Sequence, residues 1–285
     1  MTTATTAFGA DWLALREPFD AVARESSSLL LPRLRALRPT QGPWHVMDLG
    51  CGTGANWRWL APRLGGEQQW LALDHDAALL RAWPLPADAE APLDEPLRWR
   101  GVRFDATLLR REVELARELH TLPWEAAQLV TASALLDLAG AEWLGELVRR
   151  ATDAHATLFF ALNVDGGHDW TPTVDDDAWI GELFTAHQGR DKGLGPALGA
   201  RAVPWLKQAL RERGYRVALG RSDWRVRRED QAMKLAMIEG FARAAIEQEP
   251  TQAPLVRAWR ARRLRKLGWG SLRVGHLDLL AWPAR

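Results

Sequence analysis

The stretch His45-Val-Met-Asp-Leu-Gly-Cys-Gly-Thr-Gly54 decides how this chain is read. Val46, Met47 and Leu49 read as a buried β-strand, and Gly50, Gly52 and Gly54 as the turn that ends it. Ala55 to Leu64 follows with Ala55, Trp59, Leu60 and Leu64 at helical spacing, so the turn opens a helix. Glycine suits a place where the backbone bends sharply or a ligand comes close, because a Cβ would clash there. Twenty residues beyond Gly54 a second strand-like run, Trp70-Leu-Ala-Leu-Asp74, ends in a carboxylate. Strand, glycine turn, helix and acid-tipped strand describe a βαβ unit that binds a ribose-containing ligand.

The glycine spacing selects among such ligands. A dinucleotide fingerprint is G-x-G-x-x-G, whereas this turn is G-x-G-x-G, and no Lys-Ser/Thr follows as a P-loop requires. Asp48, inside the strand, is a poor neighbour for phosphates and a good one for an ammonium group. Val46-Met47-Asp48-Leu49-Gly50-Cys51-Gly52-Thr53-Gly54 resembles the first motif of class I S-adenosylmethionine (SAM) dependent methyltransferases: an apolar pair, an acid and G-x-G-x-G.

That resemblance implies an α/β fold, a doubly wound, mostly parallel seven-stranded sheet (Rossmann-like), whose last two strands form an antiparallel pair. It implies SAM as cofactor and S-adenosylhomocysteine as product. Asp48 would then sit near the methionine ammonium, and Gly50, Gly52 and Gly54 would let the amino-acid end approach the backbone. Asp74 would accept hydrogen bonds from the ribose hydroxyls, and His75 would pack on the adenine. Asp105 and Ala106, at the end of a third strand read over Leu97–Phe104, would frame the adenine edge. Ser133, after a fourth strand at Ala127–Ala132, would stand near the transferred methyl and cap a helix over Ala134–Arg150.

Bulk properties are those of an ordinary soluble globular protein and exclude several classes. The chain of 285 residues is long enough for a sizeable core, and 47% hydrophobic with 26% charged residues is ordinary globular usage. A formal net charge of +1 provides no global field towards nucleic acid or membrane. The single cysteine, Cys51, excludes an intrachain disulfide, a cysteine-rich zinc site and a cluster-based radical site, and inside the turn it reads as a small packing residue. No signal peptide or bilayer-length apolar run is found, which makes the cytoplasm the expected location and a membrane partner unexpected.

Residues 1–42 read as an N-terminal helical cap and 43–285 as the SAM-binding domain, with inserts at about 163–195 and 228–268. Residues 1–10 read as a disordered tag. In the helix from Asp11 to Arg24, Arg16, Asp20 and Arg24 share a face, either as a solvated ion-pair ladder or as a cap offering arginines to a carboxylate. Residues 84–96 read as a surface loop. A short helix covers Ala77–Trp83, another Glu112–Leu119, and a fully apolar fifth strand Ala156–Leu162. Asn163–Lys192 is a polar stretch that reads as a lid. Pro196–Arg213 reads as a helix, Tyr215–Gly220 as a sixth strand and Ser271–Trp282 as a seventh. Two helices broken near Pro250–Pro254 lie between the last two strands.

For the acceptor end the candidates are His187, which titrates near neutrality and could take a proton, and Asp191 beside it. Compact ligand spacing is missing from the His168, His187 and Asp175–Asp177 set, so no metal is expected. Ser133-Ala-Leu-Leu-Asp137 stands where many nucleobase N-methyltransferases carry N/D-P-P-Y/F, which counts against base methylation. Arg257–Lys266 holds six basic residues in ten, the solvated face of a helix or a patch for RNA; net neutrality disfavours nucleic acid. The leading expectation is methyl transfer to a small-molecule acceptor in a bacterial-type enzyme. An RNA methyltransferase and a non-catalytic SAM-binding partner protein are the alternatives.

Overall fold

Val46 and Met47 point to opposite faces of β1 (Trp44–Leu49), and both are buried. The same holds for Ala72 and Leu73 in β2 (Gly66–Asp74) and Leu129 and Val130 in β5 (Leu129–Ser133), so the sheet must be covered on both sides. The computed structural model describes residues 9–84 and 92–284. The expected terminal tag and the middle of the expected 84–96 loop lie outside the described residues.

One face is covered by α2 (Leu30–Arg35), α3 (Ala55–Leu64) and α4 (Ala77–Arg81), which bring Leu34, Trp57, Leu60 and Leu80 against Val46, Trp70 and Leu108. The other is covered by α6 (Ala141–Asp153) and α8 (Ala202–Glu212), whose Leu144, Leu147, Val203 and Leu206 meet Met47, Val130 and Phe160. Each large aliphatic side chain buried in this way contributes roughly 1.5–3 kcal/mol.

The remaining strands are β3 (Leu97–Gly101), β4 (Phe104–Glu112), β6 (Thr157–Thr171), β7 (Tyr215–Arg221), β8 (Trp224–Val226) and β9 (Ser271–Pro283). Their order is β3-β4-β2-β1-β5-β6-β9-β7, with β8 beside β9. Strands β4, β2, β1, β5 and β6 run parallel, and β9 is antiparallel to both β6 and β7. The sheet is therefore Rossmann-like, mostly parallel and doubly wound, but has nine strands rather than seven. One extra strand is β3, half of a hairpin read as a single strand. Its two-residue loop, Val102–Arg103, has neither Gly nor Asn to announce a turn. The other is β8, too short at three residues to leave a period.

The second departure is in β6. The expected lid begins as strand: β6 continues through Thr171 against β9, with bulges between Phe160 and Asn163 and between Val164 and His168. A bulge breaks the alternation that marks a strand, which is why the polar residues here read as loop. At the first bulge Leu162 takes φ +57°, and its N–H donates to Asp278 Oδ1 at 2.8 Å. Asp278 is fully buried and also receives the hydroxyls of Ser222 and Ser27.

The far ends of β6 and β9, with β8, carry a third core. It is closed by α1 (Ala10–Ser26), α7 (Asp177–Gln188), α9 (Gln231–Gln248) and α10 (Ala253–Leu264). Phe184 stacks on Phe241 at 4.0 Å between centroids, and Trp259 is fully buried. Lys234 holds the ends of the α9–α10 insert together: its buried ammonium donates to the carbonyls of Arg228 and Gly270, both at 2.7 Å, and of Leu267. Three carbonyl acceptors offset the cost of taking that charge out of water. Among the described residues no helix is long and apolar enough to cross a membrane.

Candidate functional site

The parallel strands end together above β1, β2 and β5, where the chain leaves a cavity of about 400 Å³. Ligands of open α/β sheets sit at this edge, outside the carboxyl ends of the strands. The cavity lies within the usual range of about 300–1,000 Å³ for small-molecule sites.

Its floor is the glycine turn. Gly50, Gly52 and Gly54 have φ of +62°, +51° and +82°, the left-handed region that disfavours a Cβ. The turn is fitted to its own chain as closely as to any ligand. A Cβ on Gly54 would stand 2.5 Å from the Trp83 ring, whose Nε1 donates to Gly52 O at 2.7 Å. Of the three, Gly50 and Gly52 line the cavity. Asp74, 5% exposed, also lines it and staples the turn: Oδ2 accepts the Gly52 N–H at 2.7 Å and Oδ1 the Asp76 N–H at 3.0 Å. Each oxygen keeps a second lone pair for a further donor. His75 lines the cavity next to it, Nδ1 at 3.4 Å from Asp74 Oδ1.

Asp48 lies under the turn with no exposure. Its Oδ1 accepts from Asn56 Nδ2 at 2.7 Å, while Oδ2 has no hydrogen-bond partner, and Asn56 itself reaches the cavity wall. Burial pushes the Asp48 carboxyl up to about 7, against the lowering effect of the Asn56 bond. A nearby cation would favour its charged form.

Ser133, the last residue of β5, and Ala134 line the cavity. Ser133 caps no helix: Ala134 turns at φ +54°, a short 3₁₀ turn covers Leu136–Leu138, and the helix starts only after Gly140. Within that turn Asp137, which the sequence reading did not single out, is 7% exposed. Its Oδ1 has no partner, and burial pushes its carboxyl up to about 6.

Asp105 and Ala106 require correction. They are the second and third residues of β4, paired with Glu67 and Gln68 at the start of β2. They therefore lie at the opposite end of the sheet from the cavity. Asp105 accepts Arg98 Nε at 2.8 Å and Arg100 Nε at 2.9 Å on the surface, and the Arg98 bond holds its carboxyl down at about 2. Ala106 is core. Register puts Glu112 opposite Asp74, and the residues that reach the cavity are Glu114 to Arg117, in the segment after the strand. Glu114 caps α5 (Leu115–Glu118). The missed hairpin put the expected strand end at Phe104, where β4 begins, instead of at Glu112, where it ends.

His187 and Asp191 do not line the cavity. His187 Nε2 is 2.8 Å from Glu247 Oε2, between α7 and α9, and burial moves its pKa down. Asp191 Oδ1 accepts the N–H groups of Gly193 at 2.7 Å and Gly195 at 3.1 Å, so it shapes the turn whose neighbours Lys192, Gly193 and Leu194 do reach the cavity.

The outer wall comes from α1, through Leu13, Arg16 and Asp20. Arg16 and Asp20 pair in a fork, at 2.9 and 3.1 Å, and Trp224 Nε1 donates to Asp20 at 2.9 Å. Arg24 parts from them: it is buried, its guanidinium 3.8 Å above the Trp59 ring, with its pKa lowered by burial to about 10. Glu17 binds Arg58 at 2.8 and 2.6 Å, and Arg58 in turn donates to Thr53 O in the glycine turn at 2.6 Å, so α1 is tied to the floor it covers.

No family model matches the chain, and no curated protein matches it in sequence. Solved structures do. A cyclopropane-fatty-acyl-phospholipid synthase-like protein from Lactobacillus casei is 16% identical, with 98% of this chain and 96% of that one covered at a TM-score of 0.47. A SAM-dependent methyltransferase from Thiobacillus denitrificans, in complex with S-adenosylhomocysteine, is 14% identical, covering 98% and 100% at 0.43. One from Archaeoglobus fulgidus is 12% identical, covering 96% and 99% at 0.43. Likeness of this degree leaves the functional argument to the site.

Proposed function

We propose that this chain is a SAM-dependent methyltransferase acting on a small-molecule acceptor. The observation that carries the reading is Asp74: a carboxylate at the tip of β2, lining the cavity, with each oxygen holding one backbone N–H and keeping a lone pair. Two acceptors side by side match the paired hydroxyls of a ribose. The buried Asp48, with one oxygen unpartnered, supports a cationic amino-acid end rather than a pyrophosphate beside the turn. The residues present thus fit SAM, which when bound supplies a methyl group on a positively charged sulfur.

Within that reading, Asp74 orients the ribose, the Gly50–Gly52 backbone receives the amino-acid end, and Asp48 favours its ammonium from below, through Asn56. Helix α1 and the 191–196 turn exclude water over the sheet edge. Holding the two reactants in line and desolvated can account for roughly 7–11 kcal/mol of barrier lowering in favourable cases, without a dedicated base. A cavity of about 400 Å³ that must also hold a nucleoside cofactor supports a small acceptor. Three of the six cations on the basic helix are neutralised within the fold, Arg260 by Glu239, Arg262 by Asp176 and Arg263 by Asp177, which weakens the case for RNA there.

Titration calorimetry with S-adenosylhomocysteine tests the cofactor half, with saturable binding expected. Transfer of labelled methyl from SAM to the small-molecule fraction of a cell extract tests the acceptor half. Absence of binding by the folded wild-type chain would overturn the proposal.

A further inference from the structure

Resting on that reading, the charges around the cavity point to the chemistry of the acceptor. Each acidic residue that lines it is engaged within the fold. Asp20 holds Arg16 and Trp224, Asp74 holds the glycine turn, Asp76 caps α4 through the Ala78 and Leu79 N–H groups, and Glu114 caps α5. Of the cations, Arg16 is matched by Asp20, and Arg117 is exposed, so water and salt screen its charge. Lys192 is not matched: among the described residues its ammonium has no hydrogen bond or ion pair.

Lys192 is also held in place. Its turn is closed by the Asp191–Pro196 bridge and by the two N–H bonds to Asp191. The turn is clamped to the segment after β5, with Gly140 N donating to Leu194 O at 2.8 Å and Leu198 N to Ala139 O at 2.9 Å. The carboxylate whose field acts on it most, Glu247, is taken by His187 at 2.8 Å, and Arg190 alongside binds Gln248 and the Glu247 carbonyl. Half-burial lowers the Lys192 pKa, an effect that a bound anion would reverse. A partly desolvated ammonium without a counter-ion, in the wall of a ligand cavity, costs free energy that a ligand can offset by bringing negative charge.

We propose that Lys192 recognises an anionic group of the methyl acceptor, so that the acceptor is a small carboxylate- or phosphate-bearing molecule. The ammonium is a point charge on a flexible stem, suited to either oxyanion.

The chain has only four lysines, Lys192, Lys207, Lys234 and Lys266, so each can be followed by NMR after ¹³C reductive methylation, which keeps the charge. In protein saturated with S-adenosylhomocysteine, the Lys192 signal, assigned by its loss in Lys192→Arg, is expected to shift saturably with inorganic phosphate or with succinate, and the responding probe names the oxyanion. In the methyl-transfer assay the labelled product should be retained on an anion exchanger. Lys192→Gln should lower labelling at least ~10-fold while Lys192→Arg keeps much of it. Affinity for S-adenosylhomocysteine, which has its own carboxylate, should stay within about twofold in Lys192→Gln. A Lys192 signal indifferent to both probes, an uncharged product, or undiminished labelling by Lys192→Gln would overturn the proposal. So would a matching loss of S-adenosylhomocysteine affinity, which would give Lys192 to the cofactor. Failure of the methyltransferase reading itself looks different, as wild-type protein that binds no S-adenosylhomocysteine.

Discussion

Two carboxylates, Asp74 and Asp191, each bind two backbone N–H groups and so fix a glycine-containing turn, Asp74 through Gly52 and Asp191 through Gly193 and Gly195, yet they sit in unlike halves of the molecule. Asp74 stands on a strand in the middle of the sheet, its turn locked by Trp83 and by Arg58. Asp191 stands on the outer wall, in a turn exposed at several residues and carried by an insert with its own core. The first half is one continuous parallel scaffold that presents a nearly preformed site. The second is assembled from α1, the bulged end of β6 and helices α7, α9 and α10, segments far apart in the chain. On the proposed function, the general chemistry belongs to the sheet edge and acceptor choice to the wall. Loops and inserts on a fixed scaffold are where specificity is usually built.

The sharpest way to break this contrast is Asp74→Ala. It removes the proposed ribose acceptor and the staple on Gly52 together, and S-adenosylhomocysteine affinity in calorimetry should fall by ~100-fold or more while circular dichroism stays native. Next comes Gly54→Ala. The added Cβ meets Trp83 in a left-handed backbone, which should cost about 2–4 kcal/mol in urea denaturation. Unchanged stability would mean that the turn is not fitted to Trp83 as described.

Asp48→Asn sharpens the comparison through pH. The folded chain keeps a proton on Asp48 up to about 7, well above the ordinary 3.8, and the unfolded chain releases it earlier. The folded state thus binds more protons between those values, and this group's contribution to stability is lost as pH rises through that window. Asn carries no such loss, so the variant should melt at least about 2–4 °C higher than wild type at pH 8. Ammonium binding favours the carboxylate, so wild-type S-adenosylhomocysteine affinity should rise with pH towards about 7 and then level. The variant should bind roughly tenfold more weakly at pH 8 and lose that rise. The smallest effect is expected on the wall: His187→Gln, which keeps a donor for Glu247, should change methyl transfer by less than about twofold. A large loss of turnover with S-adenosylhomocysteine binding intact would return His187 to the chemistry.

How much could be read in advance follows the same division. The glycine turn and its acid are legible because strand, turn and helix there are consecutive and each follows its period. Asp105 was misplaced because the Val102–Arg103 turn carries no turn residue, so the count of strand residues began in the wrong place. The β6 extension was hidden by its bulges, and nothing in the sequence marks Lys234 as buried, because its three carbonyl partners come from both ends of an insert. Asp137 gave no signal at all: nothing in Leu-Leu-Asp-Leu distinguishes a buried carboxylate from an exposed one.

The sequence by itself determined the α/β class, the position of the sheet edge and the carboxylates beside the glycine turn, since these depend on hydrophobic period and on contacts within about thirty residues of chain. Only the tertiary structure decided the strand count, that the segment after β4 rather than Asp105 reaches the cavity, and that Lys192 lines it without a counter-ion. Those depend on register and on charges paired across long separations, and a side chain's partners are set by where distant segments pack rather than by its neighbours in the chain.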